Sequence, residues 1–242
     1  MKQKYIHDEI THNMKDPNII IPLVLHYVKP KSVVDFGCGI GTWLNAFKNN
    51  GISEILGIDG EWCKKDLLFK YIQKSEFKCV NLENPIYLEK TYDLVVSLEV
   101  AEHLSETSAD IFVQSLTNAG KVILFSAAFP GQGGQNHINE QWPSYWASKF
   151  QKYGYYFHDI IRGKIWNNQD VSLWYKQNIF LVIHESVDFN YPNDNLLPLD
   201  YNVIHLDYYK KVIDGEKGIF LYFKLALKST YYKLARFFGK KP

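Results

Sequence analysis

Short β-branched runs separated by mixed, helix-length stretches set the rhythm of this chain. SVVDFG (Ser32–Gly37), EILGID (Glu54–Asp59), CVNL (Cys79–Leu82), DLVVSL (Asp93–Leu98) and KVILFS (Lys121–Ser126) read as buried strands. Between them, Asn18–Val28, Thr42–Asn49, Lys65–Lys74 and Ser108–Leu116 predict helices. Thr42–Asn49 gathers Trp43, Leu44 and Phe47 on one face, and Pro30 closes the first helix. Strands alternating with helices predict an α/β fold, a doubly wound and mostly parallel sheet with helices on both faces. Pro143–Tyr153 predicts a further helix, with Pro143 in its first turn. Tyr156–Ile161 and Asn178–His184 predict two more strands, which make the sheet seven-stranded and form its edge.

The rhythm ends near Asp188. DFNYPNDNLLPLD has the Pro/Asn/Asp content of a linker, and the segment beyond it is apolar, aromatic and basic. The expected organisation is a domain over 1–187 and a linker with a helical tail over 188–242. In the tail, Lys217, Lys224 and Lys228 share one helical side while Lys233, Arg236 and Lys240 fall on another, so a break near Ser229–Thr230 is expected. Such a tail suits a membrane surface or a partner enzyme; packing on its own domain, or on a second copy, is the alternative.

With 27 Lys and Arg against 26 Asp and Glu, charge gives no reason to expect nucleic acid as a partner. Aromatic residues make up 16%, which suits stacking pockets as well as cores. Cys38, Cys63 and Cys79 have no metal-type spacing, and their odd number fits a reduced, cytoplasmic compartment. The first residues lack an apolar stretch of the secretory kind, and Ile19–Leu25 is too short to span a bilayer.

The chemistry begins at VVDFGCGIGTW, Val33–Trp43, where Gly37, Gly39 and Gly41 alternate after a strand that closes on Asp35. A tight strand-to-helix turn needs positive φ, and a ligand pressed to the backbone needs missing Cβ atoms. A dinucleotide fingerprint would put Gly or Ala at position 42; Thr42 stands there, which favours a nucleoside ligand without a pyrophosphate. Asp59 closes the second strand, placed to accept hydrogen bonds from ribose hydroxyls, and Asn81 and Leu82 come next, where an adenine could be held. These residues resemble the class I S-adenosylmethionine-dependent methyltransferases over roughly 31–185. The resemblance implies that Asp35, Gly37, Cys38, Gly39, Gly41 and Trp43 serve the methionine portion of the cofactor. It implies that Asp59 and Gly60 serve the ribose, and Asn81 and Leu82 the base.

SLEVAEHL, Ser97–Leu104, closes the fourth strand with Glu99, Glu102 and His103. If a helix begins near Glu99, Glu102 returns to its side one turn later. Two carboxylates and an imidazole at a strand's carboxyl end repel one another unless something positive is shared, and a divalent cation is one solution. The E-x-x-E-H pattern resembles a methyltransferase subgroup that includes ubiquinone-pathway and small-RNA 2′-O-methyltransferases. That resemblance implies Mg2+ or Mn2+ on Glu99, Glu102 and His103, with His137 the natural fourth ligand, and His103, Glu102 and His137 as the catalytic set. Two alternatives stay open. Glu99 can orient the cofactor's amine while His103 acts as a general base without metal, or the motif serves structure alone.

FPGQGGQNHINEQWPSYW, Phe129–Trp146, supplies glycines for close approach and polar and flat side chains for an acceptor: Gln135, Asn136, Trp142 and Tyr145. IWNNQDVSLWYKQN, Ile165–Asn178, adds Trp166, Asn167 and Trp174, a composition that suits rings stacking on sugar faces. Together they resemble bacterial methyltransferases that decorate surface polysaccharides. The expected activity is O-methylation of a sugar or nucleotide-linked precursor, including a phosphoramidate oxygen. A nucleic-acid 2′-O-methyltransferase and a non-catalytic cofactor-binding scaffold are the alternatives.

Overall fold

β1 (Ser32–Phe36) is buried along its whole length because it lies inside the sheet and helices cover both faces. Alternate residues feed two cores. Val33 joins Ile20, Val24, Leu44 and Phe47 on one face, while Val34 and Phe36 join Phe112, Leu116 and Trp146 on the other. This computed structural model describes residues 8–189 and 201–214; most of the expected linker and the basic tail lie outside them. The chain divides into two compact units, Met1–Val203 and Ile204–Pro242. The second contributes one described helix, α8 (Leu206–Asp214).

Seven strands lie in the order β3-β2-β1-β4-β5-β7-β6. β2 (Glu54–Asp59), β3 (Phe77–Cys79), β4 (Leu94–Leu98) and β5 (Val122–Ser126) run parallel to β1. β7 (Phe180–His184) is antiparallel to both β5 and β6 (Tyr155–His158), so it alone is reversed. The strand order turns around between β1 and β4, which opens a crevice at their carboxyl ends. Into that end run α2 (Thr42–Asn49) after β1 and α5 (Pro143–Gln151) after β5, while α1 (Lys15–Tyr27) and α4 (Ala109–Ala119) complete the two layers.

The departures from the sequence expectation have local causes. The third strand is Phe77–Cys79 rather than Cys79–Leu82, because its pairing with β2 ends where Val80 N–H donates to Asp59 O at 2.8 Å. Asn81 Oδ1 then accepts Glu83 N–H at 3.0 Å and turns the chain away. The helix expected over 65–74 shrinks to α3 (Lys65–Leu68), and a reciprocal cap between Gln73 and Glu76 starts a separate short turn. β6 stops at His158, and two short helices, α6 (Arg162–Ile165) and α7 (Leu173–Asn178), intervene before β7. The edge is therefore no simple hairpin. Among the described residues no helix is long and apolar enough to cross a membrane.

Candidate active site

The turn after β1 takes φ values of +86° at Gly37, +53° at Gly39 and +83° at Gly41. Gly37 and Cys38 N–H both donate to Ile58 O, at 2.7 and 3.1 Å, which binds the turn to β2. Asp59 tightens it further: Oδ2 accepts Gly39 N–H at 2.8 Å and Oδ1 accepts Gly60 N–H at 2.6 Å. Burial pushes the Asp59 carboxyl up to about 6, against the pull of those donors. A carboxylate offers about four lone-pair sites, so each Asp59 oxygen keeps acceptor capacity for a hydroxyl.

Two glycines have a neighbour inside the protein that explains them. A Cβ at Gly37 would stand 2.4 Å from a Val100 methyl carbon, and one at Gly60 would stand 2.3 Å from the Trp62 ring. Asp35 is buried beside Asp59, and burial, then that neighbour, hold its carboxyl well above the usual range. Cys38 and Trp43 are buried at the turn, Leu82 is buried, and Asn81 is exposed with its side chain capping the next turn.

Beyond β4 the backbone does not start an α-helix. Glu99 sits in the left-handed region at φ 54°, with its N–H on both the carbonyl and the hydroxyl of Ser126 at 3.0 Å. A single 3-10 turn, Ala101–His103, comes after it. The reversal sends the two acids to different partners. Glu99 accepts Gln132 Nε2 at 2.8 Å and Asn178 Nδ2 at 3.1 Å. Glu102 is fully buried, and neither of its carboxylate oxygens has a hydrogen-bond partner among the described residues.

Glu102, His103 and His137 each offer a ligand atom, all within 4.8 Å of one another. Backbone bonds bring His137 there: Ile138 and Asn139 N–H both donate to Glu102 O, at 2.9 and 3.0 Å. The His103 and His137 rings meet edge to face at 4.9 Å. Burial, then His137, depress the His103 imidazole to about 4, so it is neutral and able to ligate at pH 7. Burial, then Glu99, push the Glu102 carboxyl well up. An orphaned carboxylate beside two imidazoles fits a divalent cation with mixed oxygen and nitrogen ligands. Of the four expected ligands, the structure brings these three together and engages Glu99 elsewhere.

Glu140 orders the loop that carries His137. Its carboxylate accepts Gly131 and Gly133 N–H, both at 2.7 Å, and pairs with His137 Nδ1 at 2.9 Å. Gly131 and Gly133 take φ of +92° and +68°, which aim their N–H groups inward. Removing such an orienting partner costs roughly 10–100-fold in activity or metal affinity in known metal sites. Glu140→Ala is therefore expected to lower kcat by ~10–100-fold and leave nucleoside binding intact. Steady-state kinetics beside a binding titration checks this, and an unchanged kcat would mean the latch is idle.

The expected acceptor residues divide. Gln135 and Asn136 directly precede His137, and Asn136 O lies 3.4 Å from His103 Nδ1. Trp142 packs on Phe129, and Tyr145 packs on Trp146 in the core with Lys149 over its ring. Trp166 is half-buried and Asn167 exposed on the α6–α7 connection, while Trp174 lies on α7. The groove lined by Tyr27, Lys31, Asp93 and Phe189 lies at the strands' opposite, amino end and contains none of these residues.

Sequence reading missed α7, a helix of six residues in a polar stretch. Its supports are buried charges. Asp16 accepts Ser172 N–H at 2.6 Å and Ser172 Oγ at 2.7 Å. Arg162 pairs with Asp159, donates to Gln177 O at 3.0 Å and stacks on Phe180 at 4.2 Å. Tyr175 and Asn178, one turn apart, share a face, and that i, i+3 spacing was the signal available.

The family profile for the methyltransferase domain matches residues 15–183. The fold is similar to CalS10, an amino pentose methyltransferase of Micromonospora echinaspora involved in calicheamicin biosynthesis. Identity is 10%, with 75% of this chain and 99% of that one covered, at a TM-score of 0.55. It is also similar to the methyltransferase domain of bacterial CtHen1-C, at 22% identity, 71% and 99% coverage and a TM-score of 0.51. Streptomyces venezuelae DesVI matches at 17% identity and a TM-score of 0.44, over 54% of this chain and 62% of its own. The match thus spans less than two thirds of DesVI. At these identities the likeness is one of fold. No curated protein matches the sequence.

Proposed function

Since this chain belongs to the methyltransferase domain family and is an S-adenosylmethionine-dependent enzyme of class I, we propose that it methylates an oxygen of a sugar or nucleotide-linked precursor. The precursor is one for a capsule or other surface polysaccharide, and the acceptor atom is a hydroxyl or phosphoramidate oxygen. The observation that carries this reading is the buried Glu102 carboxylate, without a hydrogen-bond partner among the described residues and beside His103 and His137. A carboxylate in that setting wants a cation, and a divalent ion there would lower the pKa of a bound hydroxyl.

The cofactor supplies an electrophilic methyl, and the chain supplies the rest. The glycine turn and Asp59 hold the nucleoside. Glu102, His103 and His137 hold the cation, and the latched loop positions the acceptor for in-line attack. An imidazole depressed to about 4 is poorly matched to take a proton at pH 7, which supports ligation over general-base duty for His103. Near-neutral charge supports a small acceptor over nucleic acid.

The test is a screen of nucleotide-sugars and surface-glycan fragments for release of S-adenosylhomocysteine, with and without exhaustive chelation. Chelation is expected to stop turnover and added Mg2+ or Mn2+ to restore it; full activity after chelation would remove the cation from the scheme. Cofactor binding carries its own pH signature. Ribose hydroxyls donate to ionised Asp59, whose folded pKa is about 6, so affinity for S-adenosylhomocysteine is expected to be full above pH 7. It should fall by up to about tenfold per unit below pH 6. Asp59→Asn should bind weakly and flatten that profile in a calorimetric titration.

A further inference from the structure

Ahead of α1 the chain folds on itself before it touches the domain. Asp8 Oδ1 accepts Ile10 and Thr11 N–H at 2.9 and 2.7 Å, and Asp8 O accepts His12 N–H at 3.2 Å. Asn13 closes the other end, donating through Nδ2 to Ile10 O at 2.6 Å and accepting Lys15 N–H on Oδ1 at 2.8 Å. Side chains that bond nearby backbone in this way fix a turn without distant partners. Asp8–Met14 is thus a compact strap, and it lies ahead of residues 15–183, over which the family profile matches.

Its attachments are unequal. At the root Asp16 is buried and accepts Ser172 N–H, at 2.6 Å, and Ser172 Oγ, at 2.7 Å, where α7 begins. Beside the root Met14 packs on the core, and Asn45 Nδ2, in the first turn of α2, lies 3.6 Å from its sulfur. At the far end an ion pair, Glu9–Lys70 at 2.8 Å, joins the strap to the turn after α3, and both side chains are about half exposed. In that turn Leu68, Tyr71 and Ile72 are the residues that a Cβ at Gly41 would meet, at 3.0–3.6 Å. The strap therefore runs from α7, past the opening turn of α2, to the packing partners of the glycine turn, along the carboxyl end of the sheet. Burial and His137 lower the His103 imidazole, and His12 on the strap adds to them.

A buried root and an exposed clasp make a hinge and a latch. Resting on the S-adenosylmethionine reading, we propose that Asp8–Met14 is a gate across the cofactor crevice, hinged at Asp16 and latched by Glu9 on Lys70. An exposed ion pair contributes little to stability, so the latch lets go while the hinge holds. The strap's own bonds keep it together as it swings. A gate that makes no contact with the ligand has a kinetic signature. The ligand favours neither the open nor the closed form, so it does not shift that equilibrium. Entry and exit both scale with the open fraction, and a weaker latch speeds the two alike while leaving affinity unchanged. The rate of cofactor exchange is then set by Glu9 and Lys70, residues outside the glycine turn and the Glu102–His103–His137 cluster.

Stopped-flow mixing with S-adenosylhomocysteine, read by tryptophan fluorescence, measures both rate constants in the full chain. Glu9→Lys and Lys70→Glu each set like charges against one another at the latch. Each is expected to raise association and dissociation by the same factor, about threefold or more. Kd should stay at the wild-type value. The exchanged pair, Glu9→Lys with Lys70→Glu, restores attraction and should return both rates to those of the wild type. Unchanged rates in both single variants overturn the proposal. Faster dissociation without faster association also overturns it, because the strap would then be a wall of the site rather than its door. So does an exchanged pair that stays fast, which would mean that Lys70 acts without Glu9. If the wild type binds no S-adenosylhomocysteine, the cofactor reading on which the gate rests falls instead.

Discussion

Exchanging Glu102 for glutamine is expected to lower turnover by ~10²–10⁴-fold while leaving the fold and the affinity for S-adenosylhomocysteine intact. The substitution keeps shape and volume and removes only the capacity for charge. Since burial already drives this carboxyl toward its neutral form, the folded protein loses no charge pair on which it depended. The side chain makes no hydrogen bond among the described residues, so no partner is stranded. Stability in denaturant should therefore match or exceed that of the wild type. What disappears is the anionic ligand between His103 and His137, and metal content, measured by elemental analysis or Mn2+ resonance, should fall with activity. Wild-type turnover in Glu102→Gln would leave the cluster without a catalytic part.

The second large effect belongs to the turn after β1. Gly37→Ala is expected to abolish cofactor binding and to destabilise the fold by ~2–4 kcal/mol, from a left-handed backbone and overpacking against Val100. The new Cβ would lie 2.4 and 2.8 Å from the two Val100 methyl carbons, far inside contact distance, at a φ of +86°. The two costs can be separated. Gly37→Ala with Val100→Ala removes the clash and keeps the backbone strain, so it should regain part of the lost melting temperature. If the double variant is no more stable than the single one, Val100 is not what demands a glycine here, and the left-handed backbone is.

Elements with a local cause were legible in the sequence, and those decided by distant partners were not. Periodicity located β1, α2, β2, β4 and β5 to within a residue or so, because each is a short apolar run with a clear stop such as Gly37 or Asp59. It misplaced β3, where pairing with β2, rather than local preference, decides which three residues are extended. Motif spacing pointed to the glycine turn and to Glu102 and His103, which the structure places beside His137, while Glu99 turns to Gln132 and Asn178. It could not foresee that Glu99 would take a left-handed conformation, which parts the two acids a helix would have stacked. Nor could it read glycine for its reason: positions 37 and 60 make room for Val100 and Trp62, which only the packed structure brings near. The helix α7 was hidden for another cause. Its anchors, Asp16 and Arg162, are ordinary surface-type residues until burial gives them work, and Asp16 lies 156 positions from Ser172.

The pair of hydrogen bonds that Ile138 and Asn139 N–H donate to the Glu102 carbonyl bears on which related chains share the site. This tie fixes His137 by its distance to the residue after it, and not by the length of the stretch from Ala127 to Asn136. A loop of another length could deliver the same imidazole to the same neighbours, provided the two N–H groups after it stay in register. A fixed count between the two histidines is thus the wrong fingerprint. The better one is a histidine directly preceding two N–H groups that donate to the carbonyl of the second glutamate, wherever the insertion ahead of it happens to end.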